Sequence, residues 1–388
     1  MENLIDNKYY IDDIKKTSEK KINWDFLRNK IILMSGATGL LGRYFIDVIM
    51  YKNINENLNC KIIGITRKKD EIQKYFYKYI NHPNFDYIIQ DVTEMFNLPN
   101  RVDYIIHAAS NTSPTQYAVD PIGTILTNVY GTKNLLDVAV NSEAEKFIFI
   151  SSFEVYGKIS EIKEIKENDF GVIDCTTLRS CYPESKRLSE SLCEAYSQQK
   201  NINVSIVRLA RVFGPTMSLK SSLATAQFIK NGINDEDIVL KSEGTQQYSY
   251  NYVADAVLAI LMVMKKGKNK EAYNVSDMKY NRSLKEFAEI VAKKVNRKVI
   301  FDYPDDIEKK GHSNLVMTIM NSEKIKQLGW DVSEDIEEKI DTTLKILKSK
   351  DWEYVRKVKI WCVAGQPRIG KTKFGYLYMG KCKWNRQR

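Results

Sequence analysis

Tyr182 and Lys186 stand four residues apart in CYPESKRLSESLCEAYSQQ, a spacing that places both on one face of a helix. A phenol with an ordinary pKa of about 10 is a poor base at neutral pH, but a neighbouring ammonium favours its ionised form. A positively charged nicotinamide ring would act in the same sense, so the pair could take a proton from a hydroxyl while its carbon gives up hydride. The same spacing also describes ordinary helix surface, so its meaning depends on what surrounds it. Upstream, Ser151-Ser152 ends the apolar run KFIFISS. Further upstream, Gly36-Ala37-Thr38-Gly39-Leu40-Leu41-Gly42 follows the apolar run KIILMS and leads into RYFIDVIMY, which has a helical pattern. In that order of strand, turn and helix, Gly36 permits a tight turn and Gly39 lets the backbone approach a pyrophosphate. Gly42 lets the helix pack close to the strand, and the helix start offers unpaired N–H groups to the anion.

The elements that must position these residues can be read from alternation. KIIGIT (61–66), YIIQDV (87–92), VDYIIHAAS (102–110) and KFIFISS (146–152) are apolar runs of strand type, separated by helical stretches such as NVYGTKNLLDVAV. The pattern predicts an α/β chain with a Rossmann doubly wound parallel sheet over 30–210. A smaller C-terminal α/β substrate-binding lobe is expected over 211–351, with some strands and helices returning to the first domain. Residues 1–29 form a charged lead-in, expected as a helical or irregular extension packed on the body. Ligands bind such sheets at the carboxyl edge, where Asp91-Val92 and His107-Ala108-Ala109-Ser110 fall. His107 there reads more simply as a hydrogen-bonded strand-end histidine than as an acid or base. After the second strand comes Thr66-Arg67-Lys68-Lys69 rather than an acidic residue. Arg67 could accommodate the extra phosphate of NADP, or stack near the adenine of NAD while Asp70 or the backbone holds the ribose. The choice between the two cofactors stays open on the sequence.

In this order, the glycine turn, the strand-end serines and the Tyr182/Lys186 pair resemble the extended short-chain dehydrogenases, also called the NAD-dependent epimerase/dehydratase family. The resemblance runs from about Lys30 to Lys348. It includes Asn128, Gly214-Pro215, Tyr252-Val253-Ala254-Asp255, Tyr273-Asn274-Val275 and Leu328-Gly329-Trp330. It implies a nucleotide-sugar substrate and bound NAD, with Gly36, Thr38, Gly39, Leu40, Leu41, Gly42, Arg67, Asp91, Val92, His107, Ala108, Ala109 and Asn128 around the cofactor. By the same resemblance, Ser152 would hydrogen-bond the reacting hydroxyl and Tyr182 would be the base. Lys186 would hold the ribose and depress the tyrosine pKa. Relatives of this kind dimerise through two long helices, which implies a homodimer to which Leu188, Leu192 and Tyr196 could contribute, although burial within the monomer would explain them equally well.

The segment Arg179 to Arg187, with Glu190 and Cys193-Glu194-Ala195-Tyr196, is most similar to UDP-glucuronate decarboxylases, and Glu154-Val155-Tyr156-Gly157 is shared with 4,6-dehydratases. Oxidation at C4 of a uronic acid makes a β-keto acid, which loses carbon dioxide readily before hydride is returned. Glu154 would help to position the ring, and Ser110, Glu154, Arg211 and Tyr248 would meet the substrate. Phe153 stands where dehydratases carry an aspartic acid and decarboxylases a serine, and phenylalanine can do neither job. Tyr248 stands where the relatives carry a substrate-gripping arginine, and Arg211 fills a slot often held by asparagine. The resemblance thus implies decarboxylation or epimerisation after oxidation at C4, with an NADPH-dependent 4-keto-sugar reductase or a 4,6-dehydratase, and a non-catalytic NAD(P)-binding protein, as alternatives.

Composition bounds these readings. The 388 residues suffice for one large α/β unit with a lobe, and no run reaches the ~18 apolar residues of a membrane span. The opening MENLIDNKYY is polar and acidic, so no signal peptide is expected, and the six cysteines show no paired spacing. A cytoplasmic, reduced protein without a metal site follows. The net charge of +10 resides in the end of the chain, where ten basic residues and no acidic one follow Glu353. The body is thus near neutral, which argues against a specific nucleic-acid partner. Within this basic tail (352–388), Gly365-Gln366-Pro367-Arg368-Ile369-Gly370-Lys371-Thr372 fits a P-loop pattern. A working P-loop needs a following helix, further strands and an acidic magnesium ligand, and with sixteen residues after it, none acidic, none is expected here.

Overall fold

The computed structural model describes residues 3–349 apart from 97, 99–100, 113, 160–163, 304–316 and 333. The basic tail and its P-loop-like stretch lie outside the described residues.

Apolar runs without alternation must be covered on both faces, and here they become central strands with helices on either side. In chain order the first part contains α1 (Lys8–Ser18), β1 (Ile31–Ser35), α2 (Leu40–Glu56), β2 (Lys61–Thr66), α3 (Lys69–Tyr75), β3 (Phe85–Ile89) and β4 (Tyr104–His107). It continues with α4 (Pro114–Val119), α5 (Pro121–Asn141), β5 (Lys146–Ser152), α6 (Cys181–Lys200) and β6 (Val204–Leu209). Then follow β7 (Arg211–Phe213), α7 (Ala224–Ile233), β8 (Ile238–Leu240), β9 (Gln247–Tyr248), β10 (Tyr250–Tyr252), α8 (Val253–Lys266) and β11 (Glu271–Val275). The last described elements are β12 (Arg282–Ser283), α9 (Leu284–Lys294), β13 (Val299–Phe301), β14 (Met317–Thr318), α10 (Glu323–Lys326) and α11 (Ile336–Leu347).

Seven strands form one parallel sheet in the order β3-β2-β1-β4-β5-β6-β11. The order reverses between β1 and β4, because the chain winds outward through β2 and β3 and then crosses back. A crevice opens at the carboxyl ends of strands at such a point, and Ser35 and His107 sit side by side there. Short strands build the remainder: β7 pairs with β10, β8 with β13, and β9 lies between β12 and β14. The third strand ends at Ile89, so Asp91 lies beyond it in a turn, where its carboxylate accepts the Thr93 N–H and hydroxyl. An aspartate that caps its own turn competes with strand extension, which explains the shift from the expected 87–92.

The lead-in is an integral part of the core. Tyr10, Ile14 and Leu27 are fully buried. Tyr10 donates to Asp47 at 2.7 Å, and Asp13 accepts from Tyr44 and Tyr252 at 2.6 and 2.7 Å, joining α1 to α2 and β10. No described helix is long and apolar enough to cross a membrane.

Candidate active site

The glycine turn is a cradle with no room for side chains. A Cβ on Gly42 would lie 2.3 Å from the Gly36 carbonyl oxygen, and one on Gly36, whose φ is +71°, 2.9 Å from the Ala108 carbonyl. No side chain caps α2 at Gly39, so its first N–H groups face the crevice without a side-chain acceptor. Leu40 and Leu41 open that helix against the core, and the Leu40 carbonyl accepts the Thr216 hydroxyl at 2.8 Å. Thr38 meets Thr66 at 3.3 Å. Arg67, largely exposed, reaches Asp91 at 3.6 Å. Burial raises the Asp91 pKa, but the Thr93 hydrogen bonds and the Arg67 charge outweigh it and hold the carboxyl below its usual value. Val92 is buried beneath Gly131.

Ser35, which the sequence reading did not single out, organises the facing strand end. Its hydroxyl accepts the Ala108 and Ala109 N–H groups at 3.2 and 3.1 Å and meets His107 Nδ1 at 2.8 Å. Burial, then the Lys186 charge, push the His107 pKa well below its ordinary value, so the ring is neutral. This arrangement matches the simpler reading of His107 as a strand-end hydrogen-bonding residue. Ser110 donates to Asn128 at 2.7 Å, and Asn128 donates to Ser185 on α6 at 2.8 Å, so Asn128 ties this strand end to the helix that carries Tyr182.

Tyr182 and Lys186 lie on the first turns of α6, both buried. The Lys186 ammonium donates to the Ile150 carbonyl at 2.9 Å and stands 5.9 Å from the Tyr182 ring centroid. Burial depresses its pKa to about 7, against the opposing charges of Glu190 and Cys193. The Tyr182 phenol is pushed above its ordinary value by burial and then by Glu154, while the Ser152 hydroxyl and the Arg179 charge oppose the rise. That direction is the reverse of the one expected from Lys186, because desolvation of the phenolate and the Glu154 charge outweigh Ser152 and Arg179, and Lys186 is not among the groups that shift the phenol. Neighbouring residues on a strand face opposite ways, and the two serines divide accordingly. Ser152 lies close enough to act on the phenol, whereas Ser151 donates to Glu190 at 2.6 Å, part of a buried pair with Arg208.

Two further residues join the site, Tyr117 from a distant segment and Arg179 from the turn that leads into α6. Tyr117 on α4 stacks on Tyr182 with centroids 5.0 Å apart, and Arg179 binds Glu154 at 2.8 Å while lying 4.8 Å over the Tyr117 ring. Arg179 stands three residues before Tyr182, a helical neighbour, whereas Tyr117 left no sequence signal. Arg211 and Tyr248 are brought together as well, the guanidinium carbon 3.9 Å from the ring centroid.

The sequence model of the NAD dependent epimerase/dehydratase family matches residues 32–276. The chain belongs to this family. It is 33% identical to UDP-glucuronic acid decarboxylase 5 of Arabidopsis thaliana over 282 residues, 72% of this chain and 80% of that one. The fold is similar to that of UDP-glucose 4-epimerase from Thermotoga maritima, with a TM-score of 0.68 and 20% identity over 85% of this chain and 99% of that one. It is also similar to UDP-glucuronic acid 4-epimerase from Bacillus cereus, solved with UDP-glucuronic acid and NAD. That TM-score is 0.67, with 20% identity over 82% of this chain and 99% of that one. NAD is the cofactor of the family, and the residues here fit it: two glycines where a Cβ has no space, and an uncapped helix start aimed at the crevice.

Proposed function

We propose that this chain oxidises the C4 hydroxyl of a UDP-linked uronic acid with NAD and releases its carboxylate as carbon dioxide. The relatedness to UDP-glucuronic acid decarboxylase over 72% of the chain carries the reading. The convergence of Ser152, Tyr182 and Lys186 at the carboxyl edge supports it. Gly36, Thr38, Gly39, Leu40, Leu41 and Gly42 would hold the pyrophosphate end of NAD, with Arg67, Asp91 and Val92 toward the adenosine and His107, Ala108, Ala109 and Asn128 along the crevice wall. When bound, NAD supplies a hydride acceptor and returns the hydride later. Ser152 and Tyr182 would share the sugar hydroxyl, and Tyr182 takes its proton. Burial and Glu154 favour the protonated phenol, and with NAD bound its positive ring would favour the phenolate, which is the form that takes this proton. Lys186 would hold the ribose. Glu154, anchored by Arg179, positions the sugar ring, and Ser110, Arg211 and Tyr248 line its approach. A ketone at C4 lies β to the carboxylate, so carbon dioxide would leave with its bonding pair passing into an enolate; that enolate then takes a proton at C5, which the Phe153 ring cannot supply, before hydride returns to C4.

The active form we take to be a cytoplasmic homodimer. Exposed apolar residues along α5 support the dimer, and the free thiols of Cys60, Cys175, Cys181 and Cys193 support a reducing compartment. The deciding experiment incubates the protein with NAD and UDP-glucuronate and measures product masses. A product lighter by one carbon dioxide is expected, and a product of unchanged mass would overturn decarboxylation. Tyr182→Phe should lower kcat by about 10²- to 10⁴-fold while NAD stays bound, and undiminished turnover would remove Tyr182 as the base.

A further inference from the structure

Among the described residues Arg211 is a cation without a carboxylate partner, placed next to the reacting groups. β5 and β6 run in register so that Ser152 lies beside Leu209, and Arg211 opens β7 two residues farther on, past the carboxyl edge of the sheet. Its guanidinium carbon is 3.9 Å from the Tyr248 ring centroid and 5.2 Å from that of Phe153, the residue between Ser152 and Glu154. Two aromatic rings thus lie against the guanidinium. Among the described residues no carboxylate pairs with it, and its Nε is buried with no hydrogen-bond partner.

The neighbouring arginines are compensated. Arg179 has Glu154 at 2.8 Å and Arg208 has Glu190 at 2.6 Å. A guanidinium cannot shed its proton, so a partly buried one without an anion is costly unless something supplies the anion. Stacking on aromatic faces leaves the edge of the planar fork free, and that edge matches two oxygens of a carboxylate or phosphate.

We infer that Arg211, held against Phe153 and Tyr248, grips an anionic group of the substrate. The inference rests on the nucleotide-sugar reading and deepens it. Two groups of such a substrate offer the chemistry, the carboxylate of the sugar acid and the diphosphate.

Calorimetric titration of the NAD-loaded protein with UDP, UDP-glucose and UDP-glucuronate, for wild type and Arg211→Met, separates them. A grip on the carboxylate weakens UDP-glucuronate alone, by about ten- to a hundredfold, the scale of a hydrogen-bonded charge. A grip on the diphosphate weakens all three ligands alike. Wild-type affinity of the variant for all three overturns the inference while leaving the proposed function standing. A wild-type protein that binds none of them overturns that function and the inference with it. Should Arg211→Met fail to fold, Arg211→Gln carries the same comparison, since it keeps a polar side chain on the same strand.

Discussion

At the Tyr182 phenol, burial and the Glu154 carboxylate favour the protonated form, while Ser152 and Arg179 favour the anion. The Glu154–Arg179 pair therefore has opposite charges acting on one proton. Glu154→Gln removes the anion and should move the acidic limb of the kcat/KM profile to lower pH. Arg179→Met removes the cation and should move that limb upward, each by about one pH unit. Such opposed shifts, read from pH–rate profiles, would separate an electrostatic role from simple loss of ring positioning, which lowers kcat without moving the limb. Limbs that coincide with wild type in both variants would show that the pair does not govern the phenol. The Tyr182/Lys186 pair stood out by type and spacing, and the family resemblance singled out Ser152. Tyr117 could not, because a stacking partner from a distant segment leaves no local pattern. Phe153, Arg211 and Tyr248 looked like three separate departures from the relatives' pattern. In space the Arg211 guanidinium meets both rings.

At the scale of elements, α5 and α6 pack against each other and present an outer face. Ile122, Ile125, Leu126 and Tyr130 recur at helical spacing along α5, exposed by 70%, 40%, 38% and 50%, and Leu188 on α6 is exposed by 50%. Of the residues read from the sequence as a dimer stripe, Leu188 faces outward. Leu192 and Tyr196 pack inward on the core cluster shared by α5 and the sheet, and the Tyr196 hydroxyl donates to Asp137 on α5 at 2.7 Å. A second copy meeting this face through α5 would cover the apolar row. The double substitution Ile125→Glu and Leu126→Lys should then convert a dimer into a folded monomer in light scattering. A wild-type chain that is monomeric at micromolar concentration would sink the proposal. The long strands were legible because buried parallel strands must be continuously apolar, as KIIGIT and KFIFISS are. The strands of two or three residues around Arg211, Tyr248 and Thr318 were not, since so few residues carry no period.

For the molecule as a whole, the lead-in shows what patterning cannot reach. The sequence predicts a charged extension packed on the body, but it does not show that Tyr10 and Asp13 are buried and bind α2 and β10 through side-chain hydrogen bonds. A polar pair that satisfies itself in the core has the same sequence signature as one in water. The arrangement ties stability to pH. Burial raises Asp47 from 3.8 to about 7, despite hydrogen bonds from Tyr10 and Tyr79 and the Arg43 charge, and raises Asp255 to about 6. Both carboxyls stand higher in the folded chain than in the unfolded one, so the folded state binds more protons between about pH 4 and 7. Their contribution is complete below the unfolded value and is lost as pH rises through 6 to 7. For Asp47 the ceiling on that loss is ~4 kcal/mol at about 1.4 kcal/mol per pKa unit. Urea midpoints at pH 5 and pH 8 should therefore fall with pH in the wild type and fall less in Asp47→Asn, whose side chain is neutral throughout. Equal losses in the two proteins would mean that Asp47 is already ionised at pH 5, and that the α1–α2 contact tolerates a buried charge through Arg43 more fully than its geometry suggests.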